Sequence, residues 1–262
     1  MDIQHIKNTA VAAAYKSGEV LKSFLGGHFD VRKKGLKDLV TQADMRSEKV
    51  IVDIISRAFP DHAVLAEESG ASPGDQRNQW IVDPLDGTIN FAHHLPFFAV
   101  SIAFVHDGKT LMGLVFNPLS GELFSALAGE GADLNNEKIA VSTTPDIGDC
   151  LLATGFPYDV LQLFDRVTMR FERCLEHAQG IRRFGSAALD LCYVACGRFD
   201  AYWEQNLNPW DTAAGALIAS EAGAVVTDFS NVPYTPSCRD ILATNGRIHA
   251  QMLSLLDLKE MK

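Results

Sequence analysis

The chain has no stretch that could span a bilayer as a helix. Its longest apolar run, Phe97 to Val105, is broken by Ser101 and ends at His106-Asp107, well below the roughly 20 residues such a span needs. The opening residues Met1-Asp2-Ile3-Gln4-His5 lack the basic-then-apolar pattern of a secretion signal. Cysteine is sparse: Cys150, Cys174, Cys192, Cys196 and Cys238 are odd in number and show no zinc-ligand spacing. That argues against a disulfide framework and for buried thiols acting as small apolar side chains in a reducing cytoplasm. Positive charge is also in deficit, with 23 Lys and Arg against 33 Asp and Glu, a net charge of −10. Such a field opposes sequence-independent binding to nucleic acid or an anionic membrane, so neither is expected as a partner. There is no internal repeat and no low-complexity tract. These absences predict a soluble cytoplasmic protein whose 262 residues suffice for one large domain or two packed lobes, with a core that needs no staple.

What is present divides near Thr143–Asp149, a polar stretch with Pro145 and Gly148. Before it, Ile3, Ile6, Ala10, Ala14, Leu21 and Leu25 recur at helical intervals until Gly26-Gly27, and Val50, Ile51, Ile54, Ile55 and Ala58 mark a second helix from Asp44 to about Phe59. Three β-rich runs follow, Phe98–Val105, Thr110–Phe116 and Glu122–Ala126, joined at the hairpin signals Asp107-Gly108 and Ser120-Gly121. After it, strands are expected at Leu151–Thr154, Ile181–Phe184, Ala201–Glu204 and Ala224–Thr227. Helices are expected at Leu163–Ala178, Ser186–Cys196 and Thr212–Ala222, the last two closed by Gly197 and Gly223. This order predicts a mixed α+β (α/β) chain, with an α+β lobe over 1–146 and an α/β lobe over 147–262 completing the site.

The most informative segment is Trp80-Ile81-Val82-Asp83-Pro84-Leu85-Asp86-Gly87-Thr88. An apolar strand delivers Asp83, a proline turn presents Asp86, and Gly87-Thr88 open a helix. Mg²⁺ takes hard oxygen ligands and bridges to substrate phosphate, while free N–H groups at a helix start attract the phosphate itself. Three further segments carry acids: Ala66-Glu67-Glu68-Ser69-Gly70, Pro209-Trp210-Asp211-Thr212-Ala213-Ala214-Gly215, and Asp38-Leu39-Val40-Thr41-Gln42-Ala43-Asp44. Taken singly, Asp44 and Asp211 could be helix N-caps and nothing more, and Glu67-Glu68 a solvated turn. His93-His94 reads as incidental, Arg182-Arg183 as an interface or solvated edge, Trp203 and Trp210 as packing, and Lys33-Lys34 as either a charged turn or an anion attractor.

Together with Gly185-Ser186-Ala187-Ala188, these motifs resemble the inositol monophosphatases, within the wider superfamily of Mg²⁺-dependent, lithium-sensitive sugar and nucleotide phosphatases, and the resemblance runs nearly end to end. It implies a layered α/β/α/β/α sandwich, a homodimer and two or three Mg²⁺ ions. Glu67, Asp83 and the Leu85 carbonyl would hold one ion, and Asp83, Asp86 and Asp211 a second. Asp44 and Thr88 would serve the attacking water, with Glu67 and Asp83 in the catalytic set. Gly87 and Thr88 would hold the phosphate through their N–H groups, with Asp86 and Asp211 beside it. Lys33 would fall near the metals, and Ser186, Ala187 and Glu204 would face the alcohol. The implied substrate is a small phosphorylated polyol, foremost inositol 1-phosphate. Histidinol phosphate, 3′-phosphoadenosine 5′-phosphate and fructose 1,6-bisphosphate are alternatives, and a regulatory binding protein on a phosphatase scaffold is the alternative of another class. The loop Gly155-Phe156-Pro157-Tyr158-Asp159 departs from a serine contact of animal members, which leaves selectivity for inositol open.

Metal loading follows from charge if the four carboxylates of Glu67, Asp83, Asp86 and Asp211 converge. Two dications would neutralise them, whereas each bare pair at about 4 Å would cost on the order of 4 kcal/mol at an effective dielectric of about 20. Several such pairs rival a whole folding free energy of roughly 5–15 kcal/mol.

Overall fold

A computed structural model of the chain describes residues 1–25, 31–33, 39–157 and 159–258. Lys34, Asp38 and Tyr158, with the helix stop placed at Gly26-Gly27, lie outside the described residues, as does the side chain of Lys33.

Helix α1 (Ile3–Phe24) is capped by Asp2, whose carboxylate accepts from the N–H of His5, and buries Ile6, Ala10, Ala13, Ala14 and Leu21 along one stripe. A short hairpin, β1 (Val31–Lys33) and β2 (Leu39–Thr41), leads into α2 (Gln42–Ala58). This helix begins two residues before Asp44, because Thr41 is its cap and Asp44 sits three positions further on. Then come β3 (His62–Ala66), β4 (Gly70–Ala71), β5 (Asp75–Asp86), the one-turn α3 (Thr88–Ala92), β6 (Ala99–His106), β7 (Lys109–Asn117), β8 (Glu122–Leu127), β9 (Ala132–Leu134) and β10 (Glu137–Lys138). They form one eight-stranded sheet in the order β10-β9-β8-β7-β6-β5-β3-β4, antiparallel except for the β3–β5 pair. The expected meander is its centre.

The remaining elements are β11 (Leu151–Thr154), α4 (Phe164–His177), β12 (Gly180–Arg182), α5 (Ala187–Ala195), β13 (Ala201–Glu204), α6 (Pro209–Glu221), β14 (Val225–Thr227), β15 (Ile241–Thr244) and α7 (His249–Leu256). Their five strands make a second sheet, β12-β11-β13-β15-β14, parallel where β11 meets its neighbours and antiparallel around β15.

Side-chain alternation sets the layers. On β5, Trp80 and Val82 pack with Ile6, Ile51 and Ile55 of α1 and α2, whereas Ile81 between them packs with α5 and α6 through Ala188, Leu189, Ala213 and Ala214. The opposite side of α5 and α6 meets the second sheet at Ala153, Tyr202 and Ala243. Beyond that sheet, Leu152, Ala201 and Leu242 pack on Cys174 of α4 and Met252 of α7. The order is therefore α1 and α2, large sheet, α5 and α6, small sheet, α4 and α7. As helices covered on both sides, α5 and α6 are apolar nearly all round rather than amphipathic. Core residues such as Ile102 and Phe104 are fully buried, each worth roughly 1.5–3 kcal/mol. Cys150, Cys174 and Cys192 are buried and all five thiols are free. Among the described residues no helix is long and apolar enough to cross a membrane.

Candidate active site

The end of β5 builds the centre of the site. Asp83 shares the face of Ile81, the face that α6 covers. In a regular strand Asp86, an odd number of residues on, would point the opposite way. The ladder prevents this: Asp83 pairs with Ser101 but Asp86 with Ala99, so β5 carries one extra residue there. Such a bulge returns Asp86 to the side of Asp83. The turn is pinned from behind, since Ser47 of α2 donates to the Pro84 carbonyl at 2.8 Å and shares a 2.6 Å hydrogen bond with Ser17 of α1. The Leu85 N–H donates to Asp83 Oδ1 at 2.9 Å.

Gly87 follows at φ +93°, and a methyl there would lie 3.0 Å from the Phe97 carbonyl oxygen, so no other residue fits comfortably. Thr88 is buried, and its hydroxyl lies 3.0 Å both from Asp44 Oδ1 and from the Leu85 carbonyl oxygen, either of which can accept its hydrogen bond. Asp44 is fully enclosed. Its Oδ2 accepts from the N–H of Thr41 at 2.8 Å and from the Thr41 hydroxyl at 2.5 Å, closing a capping box. Burial raises the Asp44 carboxyl above its ordinary pKa, and the hydrogen bonds from Thr41 and Thr88 oppose that rise.

Glu67 enters beside β5 because β3 runs parallel to it, and the N–H of Glu67 still reaches the Val82 carbonyl at 3.2 Å. The next two N–H groups, of Glu68 and Ser69, donate at 2.8 and 2.9 Å to the buried carboxylate of Glu48 on α2. Asp86 is clasped by the start of α5: Ser186 Oγ donates to its Oδ2 at 2.6 Å and the Ala188 N–H at 2.7 Å. Asp211 comes from the first turn of α6, where the Asn208 N–H donates to its Oδ2 at 2.7 Å.

The acids feel one another. Burial first, then the charges of Glu67, Asp86 and Asp211, push Asp83 well above the ordinary carboxylate range. Asp211 is pushed the same way by burial and by Asp86 and Glu67. Asp86 rises to about 6 through burial, restrained by Ser186, the Ala188 and Ala187 N–H groups and the charge of Arg183. Glu204 rises to about 7 because it is buried, although the Tyr202 hydroxyl donates to it at 2.5 Å.

A cleft opens over this cluster, walled by Asp86, Gly87, Thr88, Ala187, Glu204, Asp211 and the Gly155-Phe156-Pro157 segment. The hydroxyl of Ser186 is spent on Asp86 and does not reach the wall, where Gly185 and Ala187 stand instead. Arg183, expected at an edge, lines the cleft. His93 and His94 are exposed and outside it. Trp203 of β13 is buried on the α4 and α7 side of the small sheet, and Trp210, in the first turn of α6, packs into the core between α6 and the large sheet. A larger hollow of about 550 Å³, between α4, α7 and residues 229–240, holds none of these acids.

The donor set is entirely oxygen. Asp83 and Asp211 each spend one carboxylate oxygen on a backbone N–H and keep the other for a ligand. That chemistry fits a hard dication. Asp86 and Asp211 line the cleft itself, and Asp83 lies buried near enough for its carboxyl to feel Glu67, Asp86 and Asp211. Among the described residues no three acidic, histidine or cysteine side chains already close into a cage around one point. Glu48 and Ser47 stand outside the sequence motifs, and Arg183 stands in the cleft wall instead of at the expected edge.

Comparison with known proteins agrees with this geometry. Residues 2–259 match the inositol monophosphatase family. An inositol-1-monophosphatase from Synechocystis is 44% identical over 257 residues, covering 97% of this chain and 90% of that one. The Nus factor SuhB of Escherichia coli K12 is 42% identical over 250 residues, 94% of each chain. The structure of inositol monophosphatase from Anabaena superposes with a TM-score of 0.89 at 42% identity, over 98% of this chain and 96% of that one. A cleft of convergent aspartates on a bulged strand, a threonine held by a buried aspartate, and end-to-end similarity lead to one conclusion: the chain belongs to the inositol monophosphatase family and is a phosphomonoesterase.

Proposed function

We propose that the chain hydrolyses the monoester of a small polyol, foremost inositol 1-phosphate, with Mg²⁺ held by Glu67, Asp83, the Leu85 carbonyl, Asp86 and Asp211. The observation that carries this reading is the meeting of Asp83 and Asp86 from the large sheet with Asp211 from α6, close enough to raise one another's carboxyls. When bound, the dications supply charge neutralisation, a more acidic water and a counter-charge for the leaving oxygen. The protein's own groups do the rest. Gly87 and Thr88 line the cleft at the head of α3, and their N–H groups would cradle the phosphoryl oxygens. The Thr88 hydroxyl passes its proton to Asp44 and takes one from the attacking water, which adds to phosphorus in line with the ester oxygen. The alkoxide leaves toward Glu204 and takes its proton from solvent, so no phosphoenzyme forms.

Phosphate release with Mg²⁺ over inositol 1-phosphate, histidinol phosphate, fructose 1,6-bisphosphate and adenosine 3′,5′-bisphosphate tests the substrate. Inositol 1-phosphate should give the highest kcat/KM, and lithium should inhibit. A higher value on another member of the panel would reassign the substrate. A single turnover in ¹⁸O water should place label directly in phosphate, and a trapped phosphoprotein would contradict the route. The same proposal includes a homodimer in the cytoplasm, for which sedimentation at micromolar protein is the check. A second reading is favoured by the Nus-factor name of the Escherichia coli relative: this chain would also bind a macromolecular partner. A partner retained at physiological salt by an Asp83→Asn variant would support that role beside catalysis.

A further inference from the structure

Two charged heads flank the leaving-group side of the cleft, and each lies over a glycine that makes its room. A methyl on Gly155 would fall 1.7 Å from Glu204 Oε2, and one on Gly185 would fall 2.5 Å from Arg183 Nη1. Any larger residue at either position would push the head aside. The guanidinium of Arg183 rests 5.8 Å from the centre of the Phe156 ring, on the same wall. Its charge reaches Asp86, Glu204 and Asp190, whose carboxyls it draws down. Yet among the described residues its N–H groups make no hydrogen bond or ion pair. A cation standing in an acidic cleft with its donors unspent has a geometry suited to a ligand.

We propose that Arg183 is a specificity-determining residue that donates to a hydroxyl of the leaving alcohol, next to the hydroxyl from which Glu204 accepts. This rests on the phosphatase reading above and deepens it. A hydroxyl both gives and takes a hydrogen bond, so an acceptor and a donor on adjoining walls read two neighbouring hydroxyls together. Tyr202 fixes one oxygen of Glu204 and leaves the other to the substrate. The ligand class selected is a polyol with vicinal hydroxyls. A second anionic group is disfavoured, since Asp86, Glu204 and Asp211 already line the same cleft. A site that hydrogen-bonds a hydroxyl rejects an analogue lacking one more strongly than an apolar pocket rejects a missing methylene.

The test compares wild type, Arg183→Ala and Arg183→Lys on three substrates with Mg²⁺: inositol 1-phosphate, p-nitrophenyl phosphate and fructose 1,6-bisphosphate. Arg183→Ala should lower kcat/KM on inositol 1-phosphate about tenfold, mostly through KM, and on p-nitrophenyl phosphate less than about twofold. Arg183→Lys should recover part of the loss. The arginine is exposed at the rim, and activity on p-nitrophenyl phosphate reports directly that the variant is folded and loaded. Equal losses on inositol 1-phosphate and p-nitrophenyl phosphate would place Arg183 on the reacting phosphoryl group and overturn the proposal. So would no loss on either, or a steeper loss on the bisphosphate than on inositol 1-phosphate. Wild type inactive on all three would instead bring down the phosphatase reading, and this inference with it.

Discussion

Two helix starts in this molecule have the same local form and opposite uses. At α2 and at α6 an aspartate three residues past the cap reaches back to the cap's N–H, Asp44 to Thr41 at 2.8 Å and Asp211 to Asn208 at 2.7 Å. The difference lies in the other oxygen. That of Asp44 receives the Thr88 hydroxyl and is sealed from solvent, whereas that of Asp211 is left to the cleft among other carboxylates. Local sequence writes the capping box, and the tertiary neighbour decides whether its acid holds a buried hydroxyl or stands open as a candidate metal ligand.

The comparison can be broken by exchanging charge for amide at each start. Asp211→Asn should lower kcat/KM roughly a thousandfold and weaken Mg²⁺ binding measured by calorimetry. Unchanged Mg²⁺ affinity would remove Asp211 from the ligand set. Asp44→Asn should lower kcat by about 10²–10³ while leaving Mg²⁺ affinity as in wild type. An equal loss of affinity in both variants would erase the distinction.

Titration gives a third contrast. A carboxyl whose folded pKa exceeds its unfolded value binds protons better when folded. Its favourable term is therefore complete below about pH 4 and disappears as pH rises through the folded value. Asp86 at about 6 and Glu204 at about 7, with Asp83 and Asp211 also raised, set the window. In EDTA the Tm should fall by about 5 °C between pH 5 and pH 8, and Mg²⁺ at pH 8 should restore it in wild type more than in Asp211→Asn. A metal-free Tm that rises over this range would show that the acids are not packed as described. The smallest effect concerns the caps. Thr41→Ala should cost about 1 kcal/mol in urea unfolding, because its hydroxyl accepts from the Ala43 and Asp44 N–H groups. Asn208→Ala should cost less, since the Asn208 carboxamide oxygen is turned to the exposed Arg239 guanidinium, from which it accepts at 3.1 Å.

Legibility followed the range of the interactions. The helices α1, α2, α4, α5 and α6 and the meander β6 to β8 were readable because their apolar spacing and turn residues are local. The strand β15 and helix α7 were not. All four residues of β15 are buried, so it shows no alternation, and a short continuous apolar run does not declare its own type. The acids could be named from their motifs taken together and the family resemblance these carry, but the bulge that turns Asp86 to the side of Asp83 exists only in the pairing with β6. Glu48 went unread, and Arg183 was expected at an edge, for the same reason. One acts on N–H groups about 20 residues away in the chain, and the other acquires meaning only from a cleft formed by distant segments. Asp44 and Asp211 were legible as helix-start acids, yet their different surroundings were not.

The clasp of Ser186 and Ala188 on Asp86 joins groups 100 and 102 residues apart in sequence. A chain still emerging from the ribosome would thus present Asp83 and Asp86 long before the partners that fix and complete them, Asp211 last of all. Hydrolytic competence should appear abruptly, only after the second sheet has docked. A half-made enzyme would have no means of destroying its substrate.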